Sequence, residues 1–68
     1  MNSAELKAEI ARAGKTYRSL ARALNISEQA FYNKLNGETE FKASEIKTLT
    51  RELGLTSEAI NYIFFGIS

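Results

Sequence analysis

Four side chains near the middle of the chain offer a distinctive recognition chemistry. Glu28, Gln29, Tyr32 and Asn33 stand at i, i+1, i+4 and i+5, which is one side of a helix. Glutamine and asparagine each hold a donor and an acceptor on one planar group, the complement of the major-groove edge of adenine. Glutamate accepts from the cytosine amino group. No lysine shares this face. The same residue types also make an ordinary solvated helix surface. Catalysis has far less to draw on. Histidine and cysteine are absent, which removes imidazole bases, thiol nucleophiles and the usual zinc ligands. Every acidic residue is a glutamate, and none is expected on an apolar face where burial would raise its pKa. Glycines 14, 37, 54 and 66 are spaced as helix stops and not as a phosphate loop. Neither an enzyme nor a bound cofactor or metal is expected.

The elements that must position this face run from Thr16 to Gly37. Leu20, Ala21 and Leu24 form the apolar side of a short helix. Asn25 enters the left-handed region more readily than most residues, so it can end that helix and turn the chain sharply. Ile26 plugs the turn, and Ser27 caps a second helix with Glu28 in its first turn. Phe31 and Leu35, with Ala30 beside them, point inward, and Asn36-Gly37 supplies the stop.

The flanking segments are expected to hold this pair. Asn2 or Ser3 caps a first helix, and Asn2 with Glu5 has capping-box spacing. Leu6, Ile10 and Ala13 face inward, and Gly14 ends the helix. Thr16 caps the next one. Phe41 anchors an otherwise polar loop. A fourth helix, about Ala43 to Leu53, turns Ile46, Leu49 and Leu53 inward, leaving Ser44, Glu45, Lys47, Thr48, Arg51 and Glu52 to solvent. Thr56 or Ser57 caps a fifth helix of roughly eight residues. Ile60, Ile63, Phe64 and Ile67 lie on one side of it, with Tyr62 and Phe65 elsewhere. Apolar groups around a whole helix imply either a deep wedge or contact with a second subunit.

The 68 residues make one small all-α domain with no disulfide to staple it. Up to Gly37 there are six basic and three acidic residues, and from Glu38 onward three basic and five acidic. A chain polarised in this way would turn its first half toward phosphates. The start of the chain does not read as a signal peptide, and no apolar run is long enough for a membrane span.

Leu20-Ala21, Leu24, Asn25-Ile26-Ser27, Phe31 and Asn36-Gly37 together resemble the helix-turn-helix of the lambda-type repressor and Cro family, the XRE group. Most of that family has Gly at the position of Asn25, and many members have Gln at Tyr17 and Glu at Leu35. The run NGETEFKASEI is similar to small regulators from phages of Gram-positive bacteria. The likeness covers roughly positions 4 to 66. It implies a five-helix lambda-repressor-like domain whose third helix enters the major groove of an operator in double-stranded DNA, in the bacterial cytoplasm. Base contacts would then fall to Ser27, Glu28, Gln29, Tyr32 and Asn33, with Tyr32 against a thymine methyl. Phosphate contacts would fall to Thr16, Tyr17, Arg18, Lys34, Asn36, the Gly37 amide and Lys42. It also implies a homodimer, formed in solution or only on DNA; the apolar groups of the last helix make Tyr62, Phe65 and Ile67 its expected contacts. The alternative is a protein-binding module of the same fold, an antitoxin or antirepressor partner, using the apolar last helix.

Overall fold

The computed structural model describes residues 1–67. Five helices follow one another: α1 (Ser3–Arg12), α2 (Tyr17–Leu24), α3 (Glu28–Leu35), α4 (Ala43–Leu53) and α5 (Ser57–Phe64). The architecture is all-α, as expected. Helices of eight to eleven residues are too short to be stable alone in water, so their stability comes from shared packing. α2 packs on α3 and α4, and α1 packs on α3 and α5. Leu6, Ile10, Leu20, Ala21, Phe31, Leu35, Phe41, Leu49, Leu55 and Ile63 form one buried cluster. The small Ala21 sits in that cluster on α2, where a larger side chain would hold the neighbouring helices apart. No helix among the described residues is long and apolar enough to cross a membrane.

Four of the five helix starts follow from a capping side chain. Asn2 accepts from the Glu5 amide at 3.0 Å, Ser27 from the Ala30 amide at 3.0 Å, and Thr56 from the Ala59 amide at 3.1 Å. Thr16 and Ser19 cap reciprocally, each hydroxyl accepting the other's amide at 3.0 and 3.2 Å. Caps of this kind contribute about 1 kcal/mol each. The expected reciprocal box between Asn2 and Glu5 is only half formed. The Glu5 carboxylate pairs instead with Arg12 at 2.6 Å, and the Asn2 amide donates to the Ile63 carbonyl at 2.7 Å. That last bond ties the start of α1 to α5.

Between α2 and α3 the chain turns through Asn25 at φ 58°, ψ 43°, in the left-handed region. The Asn25 amide donates to the Arg22 carbonyl at 3.0 Å, and the Ile26 amide to the Ala21 carbonyl at 3.0 Å. This pair of bonds is a Schellman ending with Asn25 in the left-handed slot, and Ile26 packs against the core behind it. Asn25→Val should therefore lose about 1–2 kcal/mol, because a β-branched side chain is strained at positive φ. Asn25→Gly should match or exceed the parent. Urea unfolding followed by circular dichroism would show the Val variant below the parent and the Gly variant at or above it, and a Val variant as stable as the parent would contradict the assignment.

Two further expectations change. Glu45 is not on the solvent side of α4; it is buried. Ile67 lies beyond α5, exposed, after a left-handed turn at Gly66 (φ 66°), and its amide reaches back to the Asn61 carbonyl at 3.0 Å. Ile63 alone of the α5 residues is fully buried, while Ala59, Ile60 and Phe64 pack partly against the core.

Candidate nucleic-acid interface

The face of α3 opposite Phe31 and Leu35 is open. Ser27, Glu28, Gln29 and Tyr32 are exposed and Asn33 is half-buried. Ser27 accepts the Ala30 amide and keeps its hydroxyl hydrogen as a donor. Gln29 Nε2 donates to Asn33 Oδ1 at 3.0 Å, so the two amides one turn apart hold each other in place. Arg18 Nε of α2 lies 3.6 Å from Glu28 Oε1 across the turn. Both side chains are well exposed, so this pair adds little to stability but does set where each charge rests.

Tyr17 supports the face from behind. Its ring centroid is 5.4 Å from that of Tyr32, edge-on at 85°, and 5.8 Å from that of Phe31. Phe31 meets Phe41 at 6.0 Å, and Phe41 meets Phe64 at 6.0 Å. A continuous row of five rings thus runs from the surface of α3 to α5. Phe41 does anchor the loop after α3, as expected, and it does so by joining this row.

Two of the expected phosphate contacts are engaged elsewhere. Lys34 turns inward: its Nζ lies 3.0 Å from Glu45 Oε1, donates to the Glu40 carbonyl at 3.0 Å, and stands 6.0 Å from the centre of the Phe41 ring. Only 12% of the Lys34 side chain and 10% of the Glu45 side chain are exposed. Lys34 is therefore a brace between α3, the loop and α4. The Gly37 amide donates to the Lys34 carbonyl at 3.1 Å while the Glu38 amide donates to the Asn33 carbonyl at 2.8 Å, so it closes α3 and does not stand free. Gly37 has φ 83°, which suits glycine at this ending.

The remaining members of the set stay accessible. Thr16 caps α2 but keeps its hydroxyl hydrogen, Arg18 projects into solvent, and Asn36 and Lys42 are exposed. Tyr17 is half-buried.

Sequence reasoning missed Glu45. Its carboxylate accepts from the amide of Lys42, the residue that opens α4, at 2.7 Å, and it holds Lys34. Burial would raise its pKa; the bonds from the Lys42 amide and the Lys34 ammonium outweigh burial and hold it below the ordinary carboxylate value. The N-terminal signal was present, because Glu45 is three residues after Lys42, but its partner across the loop leaves no local pattern.

On α5 and just after it Tyr62, Phe65 and Ile67 are 48%, 59% and 57% exposed, with Met1 also exposed nearby in the concavity it shares with Tyr62. These are the three residues expected at a dimer contact.

Fold and face together define a small all-α domain in which a tight-turn helix pair displays a polar, amide-bearing surface. The chain belongs to the family described as "Protein of unknown function (DUF739)", whose profile matches residues 3–66. No curated protein and no solved structure matches it.

Proposed function

We propose that this chain is a sequence-specific double-stranded DNA-binding regulator of transcription, of the lambda-repressor and Cro type, that lays α3 in the major groove of an operator. One observation carries the reading: α3 buries Phe31 and Leu35 and is fixed at both ends, while Glu28, Gln29 and Tyr32 on its other side are exposed to solvent. A helix held in this way can present base-reading groups without reorganising. Ser27, Glu28, Gln29, Tyr32 and Asn33 are the proposed base-facing residues. Thr16, Tyr17, Arg18, Asn36 and Lys42 are the proposed phosphate contacts, which place the domain without choosing sequence.

Arg18 and Lys42 are the two cations of that revised set. Log K should then fall with log salt by roughly 0.9 for each, a slope near 2 per protomer. Retardation of a random duplex pool at several salt concentrations measures it. Lys42→Ala should flatten the slope by about 0.9, and Lys34→Ala should leave the slope of the folded protein unchanged. A pool that is not retarded even at low salt would sink the reading.

Tyr62, Phe65 and Ile67 are proposed as the self-association surface that places two copies of α3 on half-sites about 34 Å apart. Their exposure also supports a second reading, in which this patch holds a different protein and DNA contact is secondary. Light scattering during size exclusion separates the two. Concentration-dependent dimers lost in Phe65→Ser favour the first; a monomer that fails to retard DNA favours the second.

A further inference from the structure

We infer that α3 selects A·T pairs and reads no guanine, through Gln29 and Asn33 acting as one amide unit with Tyr32 beside them. The inference rests on the DNA-binding reading above and names the bases that the same face accepts. Guanine is read chiefly by Arg or Lys donating to its O6 and N7. Lys34 is the one cation within α3, and its ammonium is bound to Glu45 and to the Glu40 carbonyl. Arg18 comes from α2 and rests against Glu28. That pairing places a cation beside the carboxylate that would otherwise accept from cytosine.

The amides are what remains. With Gln29 Nε2 donating to Asn33 Oδ1, Gln29 keeps its Oε1 acceptor and one Nε2 hydrogen, and Asn33 keeps both Nδ2 hydrogens. An acceptor beside donors complements adenine, whose N6 amino group donates and whose N7 accepts. Guanine offers two acceptors on that edge and would leave Oε1 facing a lone pair. Tyr32 lies between the two amides in the chain, and its ring is fixed edge-on by Tyr17. An exposed aromatic ring braced on one side suits the thymine methyl, which is the apolar feature of the major groove.

Duplexes selected from a random library by the intact protein give the test. In a selected duplex, each contacted adenine is replaced by 7-deazaadenine, which lacks the N7 acceptor, and each thymine by deoxyuridine, which lacks the methyl group. The protein is unaltered in these measurements, so folding does not enter. The expected consensus is A·T at the positions under α3. One 7-deazaadenine there should weaken binding by roughly 5- to 150-fold. One deoxyuridine should weaken it by about fourfold, a loss absent in Tyr32→Ala. Gln29→Ala and Asn33→Ala should each remove the 7-deazaadenine effect, and the double variant should bind no more weakly than the worse single one. Specific binding to a consensus with G·C under α3, sensitive to 7-deazaguanine, overturns the inference and leaves DNA binding standing. So do fully additive losses from the two amides. Absence of binding to any duplex overturns the DNA-binding reading, and this inference with it.

Discussion

Lys34→Ala is expected to destabilise the domain by about 3 kcal/mol, because it leaves the buried Glu45 carboxylate without its cation and the Glu40 carbonyl without its donor. At this chain length each kcal/mol moves Tm by about 4–8 °C, so the midpoint should fall by roughly 12–24 °C. Total stability for a domain of this size is roughly 3–10 kcal/mol, so the variant stands near the edge of folding. Glu45 adds a pH signature. Its pKa is lowered in the fold, so its contribution is complete above the ordinary carboxylate value and is lost as pH falls through the lowered one. Stability of the parent should decline on acidification through that window, and Glu45→Gln should flatten the decline. Lys34→Met combined with Glu45→Leu should recover much of the loss, since an apolar pair of similar volume removes both buried charges. Thermal melts of the four proteins between about pH 3 and 7 decide the matter. A Lys34→Ala midpoint within 2 °C of the parent, on a scale of about 4–8 °C per kcal/mol, would mean that the ion pair does not brace the loop.

Phe31→Ala should cost about 3–5 kcal/mol. Phe31 is fully buried and touches Tyr17 on one side and Phe41 on the other, so truncation opens a cavity in the middle of the aromatic row. Phe31→Leu keeps most of the volume and should cost markedly less, near 1 kcal/mol. The Leu variant is the informative one for function. It should fold, yet loosen the packing behind Tyr17 and with it the edge contact that holds Tyr32. Urea midpoints measure the stability difference. Binding to a selected duplex should show a smaller preference for thymine over deoxyuridine in Phe31→Leu than in the parent. Equal stability of the parent and Phe31→Ala would contradict the packing described here.

What was legible in the sequence was local. Asn25, Ser27 and Thr16 carry their roles in their own side chains: one tolerates positive φ, and the others accept an amide three residues on. Phe31 and Leu35 show themselves by spacing, and Phe41 by being the one apolar residue in a polar run. The Gln29 to Asn33 bond could have been anticipated from i, i+4 spacing, because both were already placed on one side of one helix. The misplacements have a common cause. Lys34 and Glu45 are eleven residues apart, and the loop that joins them brings them together only by folding back over Phe41. A lysine on a short helix looks free until the element that covers it is in place. The Gly37 amide is hidden from the sequence for a similar reason: its carbonyl partner is chosen by how α3 ends, which depends on φ at Gly37 itself. Likewise the Asn2 amide bonds to Ile63 across the whole length of the chain, and no local pattern could give that.

The distribution of tyrosines makes the molecule its own spectroscope. There is no tryptophan, and of the three tyrosines two touch each other at the junction of α2 and α3 while Tyr62 stands apart on α5. Near-ultraviolet absorption and emission therefore report on two separate places with no label attached. A signal on adding nucleic acid that survives Tyr62→Phe originates in the coupled chromophores beside the amides. A signal on concentrating the protein that vanishes in Tyr62→Phe originates on the exposed side of α5.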